Sequence, residues 1–299
     1  MGGVYFRRCF LKTDLRRFSA YMWFVYILLV LIILFGGYVF LVLPRPKHFR
    51  PRSDVFEQTK YFAHRGLFDN GVVAENSLSA FKAAMKFGCG IELDIRLSKD
   101  GIPVVMHDRS LIRMCGVNKN VDDLNVDELK KLKLLDTEDR IPTLREVLDL
   151  VDGAVPLVIE MKATGTDASV CPQSEILLRH YNGTYAVESF NPFALRWYRI
   201  HRPEILRGQL ATAFKKSKND ANPFVAFMAS NLLFNFLSRP DFIAFDIHFS
   251  ASVPLKICSK YFAAVPVGWT VRKETELNES NFEIFSFEGF LPTADKRAA

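Results

Sequence analysis

The chain has 299 residues, 49% hydrophobic and 24% charged, enough for one large domain or two small ones. Its formal net charge of +6 is unevenly spread: nine Lys/Arg and one acid fall within residues 1–53, a net of +8, so the remainder sums to −2. The globular part therefore lacks the bulk basic signature of a nucleic-acid binder.

The chain begins with a basic tail, residues 1–20, carrying Arg7, Arg8, Lys12, Arg16 and Arg17. From Tyr21 to Leu43, "YMWFVYILLVLIILFGGYVFLVL", no residue is charged. At about 1.5 Å per residue this stretch reaches roughly 34 Å as a helix, enough to cross a bilayer core. Tyr21, Trp23 and Tyr26 at one end and Tyr38 and Phe40 at the other suit interfacial belts. A cleavable signal needs a shorter apolar region and a small-residue cleavage site, which "LVLPRPK" does not offer. A core helix of this length would carry a polar face. The expectation is a single-pass transmembrane helix at 21–43, with the lipid bilayer as a partner. Arg45, Lys47, Arg50 and Arg52 nearly balance the N-terminal basic flank, so the side of the membrane stays open.

A basic Pro/Arg-rich linker is expected at 44–58, then one domain at 59–299. There, short apolar runs bounded by turn residues alternate with helical patterns. The candidate strands are "YFAHRG", "GIELDIRL" with a following "IPVVMHD", "VPLVIEMKA", "TYAVESF", "LRGQLAT", "FIAFDIHF", "AVPVGWTV" and "FSFEGF". Helical candidates include "SLSAFKAAMKFG", entered through the good N-cap pair Asn76-Ser77 and closed by Gly88, and "TLREVLDLVD". With "IPVVMHD" as a hairpin partner, eight strands remain, the size and rhythm of an α/β TIM (β/α)8 barrel. A doubly wound sheet would place a Gly-rich phosphate loop after the first strand, and none is there. The charged stretch at about 108–141 reads as a small helical insertion after strand 2. Cys89, Cys115, Cys171 and Cys258 have no C-x-x-C spacing and read as buried free thiols.

Polar residues gather at the C-terminal ends of these strands, where a TIM barrel builds its active site. Glu92 and Asp94 in "IELDIRL" are two apart and share one strand face, as do Glu160 and Lys162 in "VIEMKA". Three converging carboxylates call for a cation, and an all-oxygen donor set suits Mg²⁺ or Ca²⁺. Arg65 and Lys162 call for an anion, and a phosphate held between cation and basic side chains meets both needs. His64 and His107 beside them have the pKa range of an acid/base pair. Singly, each residue is better read as structural: a hydrogen-bonded histidine, or a same-face ion pair such as Glu160–Lys162. Together they describe metal-assisted cleavage of a phosphate ester. Asp246 and His248 in "FDIHF" alternate onto one face and read as lining or structure.

The ordered pattern "HRG…EN(S)…ELD…HD…EMK…SFNP…GWTV", from His64 to Val271, resembles the glycerophosphodiester phosphodiesterases of the phosphatidylinositol-phospholipase-C-like TIM-barrel superfamily. The resemblance implies Glu92, Asp94 and Glu160 as ligands of a divalent metal and His64 and His107 as the general acid/base pair. It implies Arg65 and Lys162 as phosphate-binding residues, Trp269 as a wall of the pocket, and Glu75 and Asn76 as shaping the first βα turn. It also implies hydrolysis of a glycerophosphodiester to glycerol 3-phosphate and an alcohol; the membrane anchor makes lysophospholipase D activity on membrane lysophospholipids the runner-up. A catalytically silent barrel that binds a phosphorylated ligand is the reading from another class; a mere binder has no use for both histidines. Asn222 to Phe242, "NPFVAFMASNLLFNFLSRPDF", reads as a core-facing helical segment, the alternative being a lip that meets the bilayer or an acyl chain.

Overall fold

The structure, a computed structural model, describes residues 3–212, 222–279 and 281–293. The chain divides into two units, Met1–Leu41 and Val42–Ala299. The first is formed by a continuous helix, Gly3–Val42, that runs on from the basic tail through the uncharged stretch. Its side chains from Tyr21 to Phe40 stand largely exposed, and its length and composition suffice to cross a membrane.

The second unit is a closed barrel. Its strands are β1 (Tyr61–Ala63), β2 (Gly90–Leu97), β3 (Pro103–Val105), β4 (Leu157–Met161), β5 (Tyr185–Ser189), β6 (Arg207–Ala211), β7 (Phe242–Asp246), β8 (Val265–Val271) and β9 (Ile284–Phe287). They run in the order β1-β9-β8-β7-β6-β5-β4-β2-β3, and β1 also pairs with β2, closing eight parallel strands into a ring. The expected hairpin is present: β3 pairs antiparallel with β2, Ile95 opposite Val105. It can do so because β1 is only three residues long, leaving the upper half of β2 open on that edge. The TIM barrel anticipated from the alternating pattern is therefore the observed fold.

The two faces of β2 show how the sequence sorts itself. Ile91, Leu93 and Ile95 are fully buried beneath the surrounding helices, while Glu92 and Asp94 turn into the barrel. The barrel's lower interior is filled by Phe62, Val158, Phe242, Ala244, Val267 and Ile284. Phe56, on the short helix Val55–Gln58, closes it from below, edge-on to Phe62 at 5.9 Å and to Phe242 at 5.1 Å. Gly208 is demanded by this packing, since a Cβ there would lie 2.0 Å from the Phe242 ring. Residues 44–58, read above as a linker, thus run along and into the floor. Arg45 is buried, donating to Pro203 O at 2.9 Å with its Nε 3.3 Å from Asp241.

The two helical candidates form as expected. Leu78–Phe87 is capped by Ser77, whose side chain accepts from Ala80 N, and by left-handed Gly88. Leu144–Val151 opens with a Thr143/Glu146 capping box. The insertion holds the short helices Ile112–Cys115 and Val126–Leu129 around its own small core of Met106, Leu111, Met114, Leu124 and Leu129. Cys89, Cys171 and Cys258 are buried free thiols and Cys115 is half-buried. Burial pushes Cys171 and Cys258 up to about 12 and Cys115 up to about 11, so none of these three is a reactive thiolate.

One expectation is corrected. In the segment 222–242, Leu232 and Leu233 do pack inward, but the helix Pro223–Ser230 buries no residue, and Phe224 and Phe227 are 67% and 59% exposed. Its sequence, PFVAFMAS, is apolar all round, so composition could not say which face the barrel would cover, and none is fully covered: Ala226, Met228 and Ala229 are half-buried.

Candidate active site

The centre of the site is set by strand register. Asp94 on β2 sits opposite Glu160 on β4, and Glu160 opposite Glu188 on β5. Oxygens of Glu92, Asp94 and Glu160 lie within 4.8 Å of one another, and all three residues are buried.

Each carboxylate is held from a different element. The Arg65 backbone N–H donates to Glu92 Oε2 at 2.9 Å, and the Asn76 amide to Asp94 Oδ2 at 2.8 Å. Lys162 Nζ, just past the end of β4, lies 2.8 Å from Asp94 Oδ1 and 2.6 Å from Glu160 Oε2. The turn that aims the Arg65 N–H is tight: Arg65, Gly66 and Asn76 all have positive φ (59°, 82° and 55°). A side chain at Gly66 would be strained at that φ and would meet Ala80 at 2.8 Å. Asn76 therefore orients a carboxylate, and Ser77 alone caps the helix.

The electrostatics fit a cation. Burial, reinforced by Asp94 and Glu188, holds the Glu92 carboxyl well above its ordinary range. Burial also raises Glu160, to about 7, with Asp94 adding to the rise and Lys162 only partly offsetting it. Asp94 goes the other way: burial opposes ionisation, but Lys162, His107 and Arg65 outweigh it and keep the carboxylate ionised. Two carboxyls that cannot easily ionise beside a third that does form an incomplete charge set. A bound cation would complete it, and carboxylate oxygens are the donors that hard divalent cations take.

Both histidines are oriented by acids. His64 Nδ1 is 2.8 Å from Glu288 Oε2, leaving Nε2 on the Glu92 side at 4.0 Å. His107 Nδ1 is 2.6 Å from Asp108 Oδ1, and Arg96 fixes its backbone by two bonds to His107 O. Burial lowers the pKa of both imidazoles, favouring the neutral form near pH 7. Asp108 accepts from Arg113 at 2.6 Å, Arg113 forks onto Glu75 at 2.7 and 2.9 Å, and Glu75 accepts from Arg65 at 2.8 Å. This relay ties the insertion to the first βα turn.

Above these residues opens a cavity of about 280 Å³. His64, Arg65, Glu92, His107, Glu160 and Trp269 line it; Asp94 lies beneath. Lys162 borders an adjoining polar cleft of about 210 Å³ with Arg96 and Arg109. All eight site residues expected from the sequence thus converge on one end of the barrel. Trp269 stands edge-on to Phe190 at 5.5 Å as an aromatic wall. Asp246 and His248 also line the cavity, though β7 stops at Asp246 and His248 sits in a 3-10 turn, bonded back to Asp246 at 3.0 Å.

Two residues went unassigned from the sequence. Glu288 in "FSFEGF" and Glu188 in "AVESF" carry the same signal as Glu160, an acid near the C-terminal end of a barrel strand. Glu188 is buried, faces the cavity and is held well above its ordinary pKa by burial and by Glu160.

The sequence model of the Glycerophosphoryl diester phosphodiesterase family matches residues 64–240, a span that includes seven of these eight residues. The chain belongs to this family. It is 36% identical over 165 residues to a glycerophosphodiester phosphodiesterase of Caldanaerobacter subterraneus, covering 51% of this chain and 67% of that one. It is 34% identical over 161 residues to a lysophospholipase D of Homo sapiens, covering 48% of this chain and 50% of the relative. The chain thus spans about half of the human relative's length. Among solved structures, a phosphodiesterase of Oleispira antarctica in complex with the product sn-glycerol-3-phosphate superposes with a TM-score of 0.64 at 23% identity. That alignment covers 79% of this chain and 95% of that one, a likeness of fold. Family membership bears out the resemblance carried by the ordered motifs.

Proposed function

We propose that this chain is a membrane-anchored, metal-dependent glycerophosphodiester phosphodiesterase, with residues 21–43 as the single-pass anchor and the barrel as the catalytic domain. One observation carries the reading: three buried carboxylates within 4.8 Å of one another share a cavity wall with two histidines, each oriented by its own acid. Glu92, Asp94 and Glu160 would hold the divalent ion, Mg²⁺ or Ca²⁺. That ion supplies Lewis-acid polarisation of the phosphoryl oxygens and acidifies the attacking hydroxyl.

The chain's own groups do the rest. Arg65 and Lys162 bind the phosphate and neutralise charge that builds on it. Glu288 and Asp108 accept the Nδ1 protons of His64 and His107, leaving each Nε2 free to take or give a proton. One imidazole removes the proton from an attacking water as its oxygen bonds to phosphorus, and the other, protonated, donates to the leaving alkoxide as its bond to phosphorus breaks. If the glycerol hydroxyl attacks first, a water then opens the cyclic phosphate with the two histidines' roles exchanged. Trp269 and Phe190 form one aromatic wall of the cavity. The products are glycerol 3-phosphate and an alcohol; sn-glycerol-3-phosphate is also the product named for the Oleispira protein.

A second reading, lysophospholipase D activity on membrane lysophospholipids, is favoured by the identity to the human lysophospholipase D. Purified full-length protein, supplied with glycerophosphocholine or glycerophosphoethanolamine and Mg²⁺, Ca²⁺ or EDTA, tests the first. Metal-dependent glycerol 3-phosphate release, lost in His64→Ala, is the expected result. Absence of release with either metal overturns it and moves the test to lysophospholipids.

A further inference from the structure

Beside the catalytic cavity lies a second, larger space of about 720 Å³ between the loop after β1 and the chain after β9. Leu67, Phe68, Val72, Val73, Phe290 and Leu291 give it apolar walls. Val72 and Leu291 stand 74% and 58% exposed at its rim. Among the described residues its polar lining is Asp69, Asn70 and Glu288, with no Lys or Arg.

The walls are pre-formed. Leu67 N donates to Ala80 O at 3.0 Å, Val73 N to Asp69 O at 2.7 Å, and Phe290 packs on Phe287 at 5.6 Å. The groove also adjoins the site. Glu288 lines the groove and bonds His64, which lines the cavity, and Gly66 in the groove directly follows Arg65 in the cavity. A deacylated glycerophosphodiester has no apolar part to place there.

We propose that this groove binds the single acyl chain of a lysophospholipid whose phosphodiester occupies the catalytic cavity. The inference rests on the phosphodiesterase reading and selects a substrate class within it. An apolar groove of this volume next to convergent polar groups suits one flexible chain anchored by a charged head. Affinity then rises by up to about fourfold for each methylene buried, until the groove is full.

The test uses full-length protein in lipid nanodiscs, with glycerophosphocholine and lysophosphatidylcholines of increasing acyl length. Val72→Asp and Leu291→Asp each place a charge at the groove rim, away from the catalytic groups. KM for the long-chain substrates should rise by about tenfold or more, the loss of one or two buried methylenes' worth of affinity, with glycerophosphocholine kinetics unchanged. Equal losses on both substrates, or on neither, overturn the groove. So does a chain-length dependence that instead disappears in Phe224→Asp, which would place the acyl chain on the exposed helix Pro223–Ser230.

Fluorescence anisotropy of an NBD-labelled lysophosphatidylcholine, measured in EDTA, separates the groove from the reaction. Weaker binding by the two rim variants supports the groove even if wild type turns over no substrate, a result that would sink the phosphodiesterase reading alone. Unchanged binding sinks the groove.

Discussion

Glu288 Oε2 lies 2.8 Å from Nδ1 of His64, a residue 224 positions earlier in the chain. The contact exists because β1 pairs with β9, setting Ala63 beside Phe287, so the residue after each strand end meets the other. The ring closure that makes the barrel also orients the ring of a proposed catalytic histidine.

Glu288→Gln keeps the shape but removes the carboxylate. Such orienting partners typically contribute 10- to 100-fold, so kcat should fall by about that range. Burial lowers the His64 pKa and the Glu288 bond opposes the fall. Losing that bond should move the His64 limb of the pH–rate profile to lower pH. A profile that keeps its shape while kcat drops would argue for a packing role only.

Asp94→Asn should abolish divalent-ion binding. In wild type, Mg²⁺ or Ca²⁺ binding by calorimetry should be accompanied by a rise in Tm, because an ion that binds only the folded state stabilises it by mass action. The variant should show neither signal. Since Asp94 is the one carboxylate of the three that stays readily ionised, neutralising it removes the charge that begins ion capture.

Glu75→Gln tests the relay through Arg113 and Arg65. Burial alone would raise the Glu75 pKa, but hydrogen bonds and charge from Arg113 and Arg65 bring it down from 4.5 to about 2. A depressed folded-state pKa contributes stability that is present above the unfolded value and lost as pH falls through the folded one. The stability gap between wild type and Glu75→Gln should therefore be full above pH 4.5 and close as pH drops towards 2 in urea titrations. A gap independent of pH would assign the effect to shape rather than charge.

Gly208→Ala probes the barrel floor. Its methyl would lie 2.0 Å from the Phe242 ring, which is fully buried and packed against Phe56. Overpacking of this kind costs about 1–3 kcal/mol, read as a lower urea midpoint.

Much of the site was legible one strand at a time. Alternation in "IELDIRL" put Glu92 and Asp94 on one face, and that face proved to be the barrel interior. His64, Arg65, His107, Glu160 and Lys162 were legible as strand-end residues and Trp269 through the family resemblance, and ring closure brought them together. Three features were not legible: the pairing of His64 with Glu288, the bond from Asn76 to Asp94, and the incompletely covered helix Pro223–Ser230.

The division has a physical cause. The period of two along a strand is local, so a sequence determines by itself which residues share a face, and hence the kind of chemistry the barrel mouth can hold. Which distant residue stands across from another depends on the register and closure of the whole ring, a non-local property that no short stretch encodes. Tertiary structure alone therefore decided that Glu288 supports His64, that Arg113 of the insertion reaches Glu75 across 38 positions, and that an apolar groove opens beside the catalytic cavity.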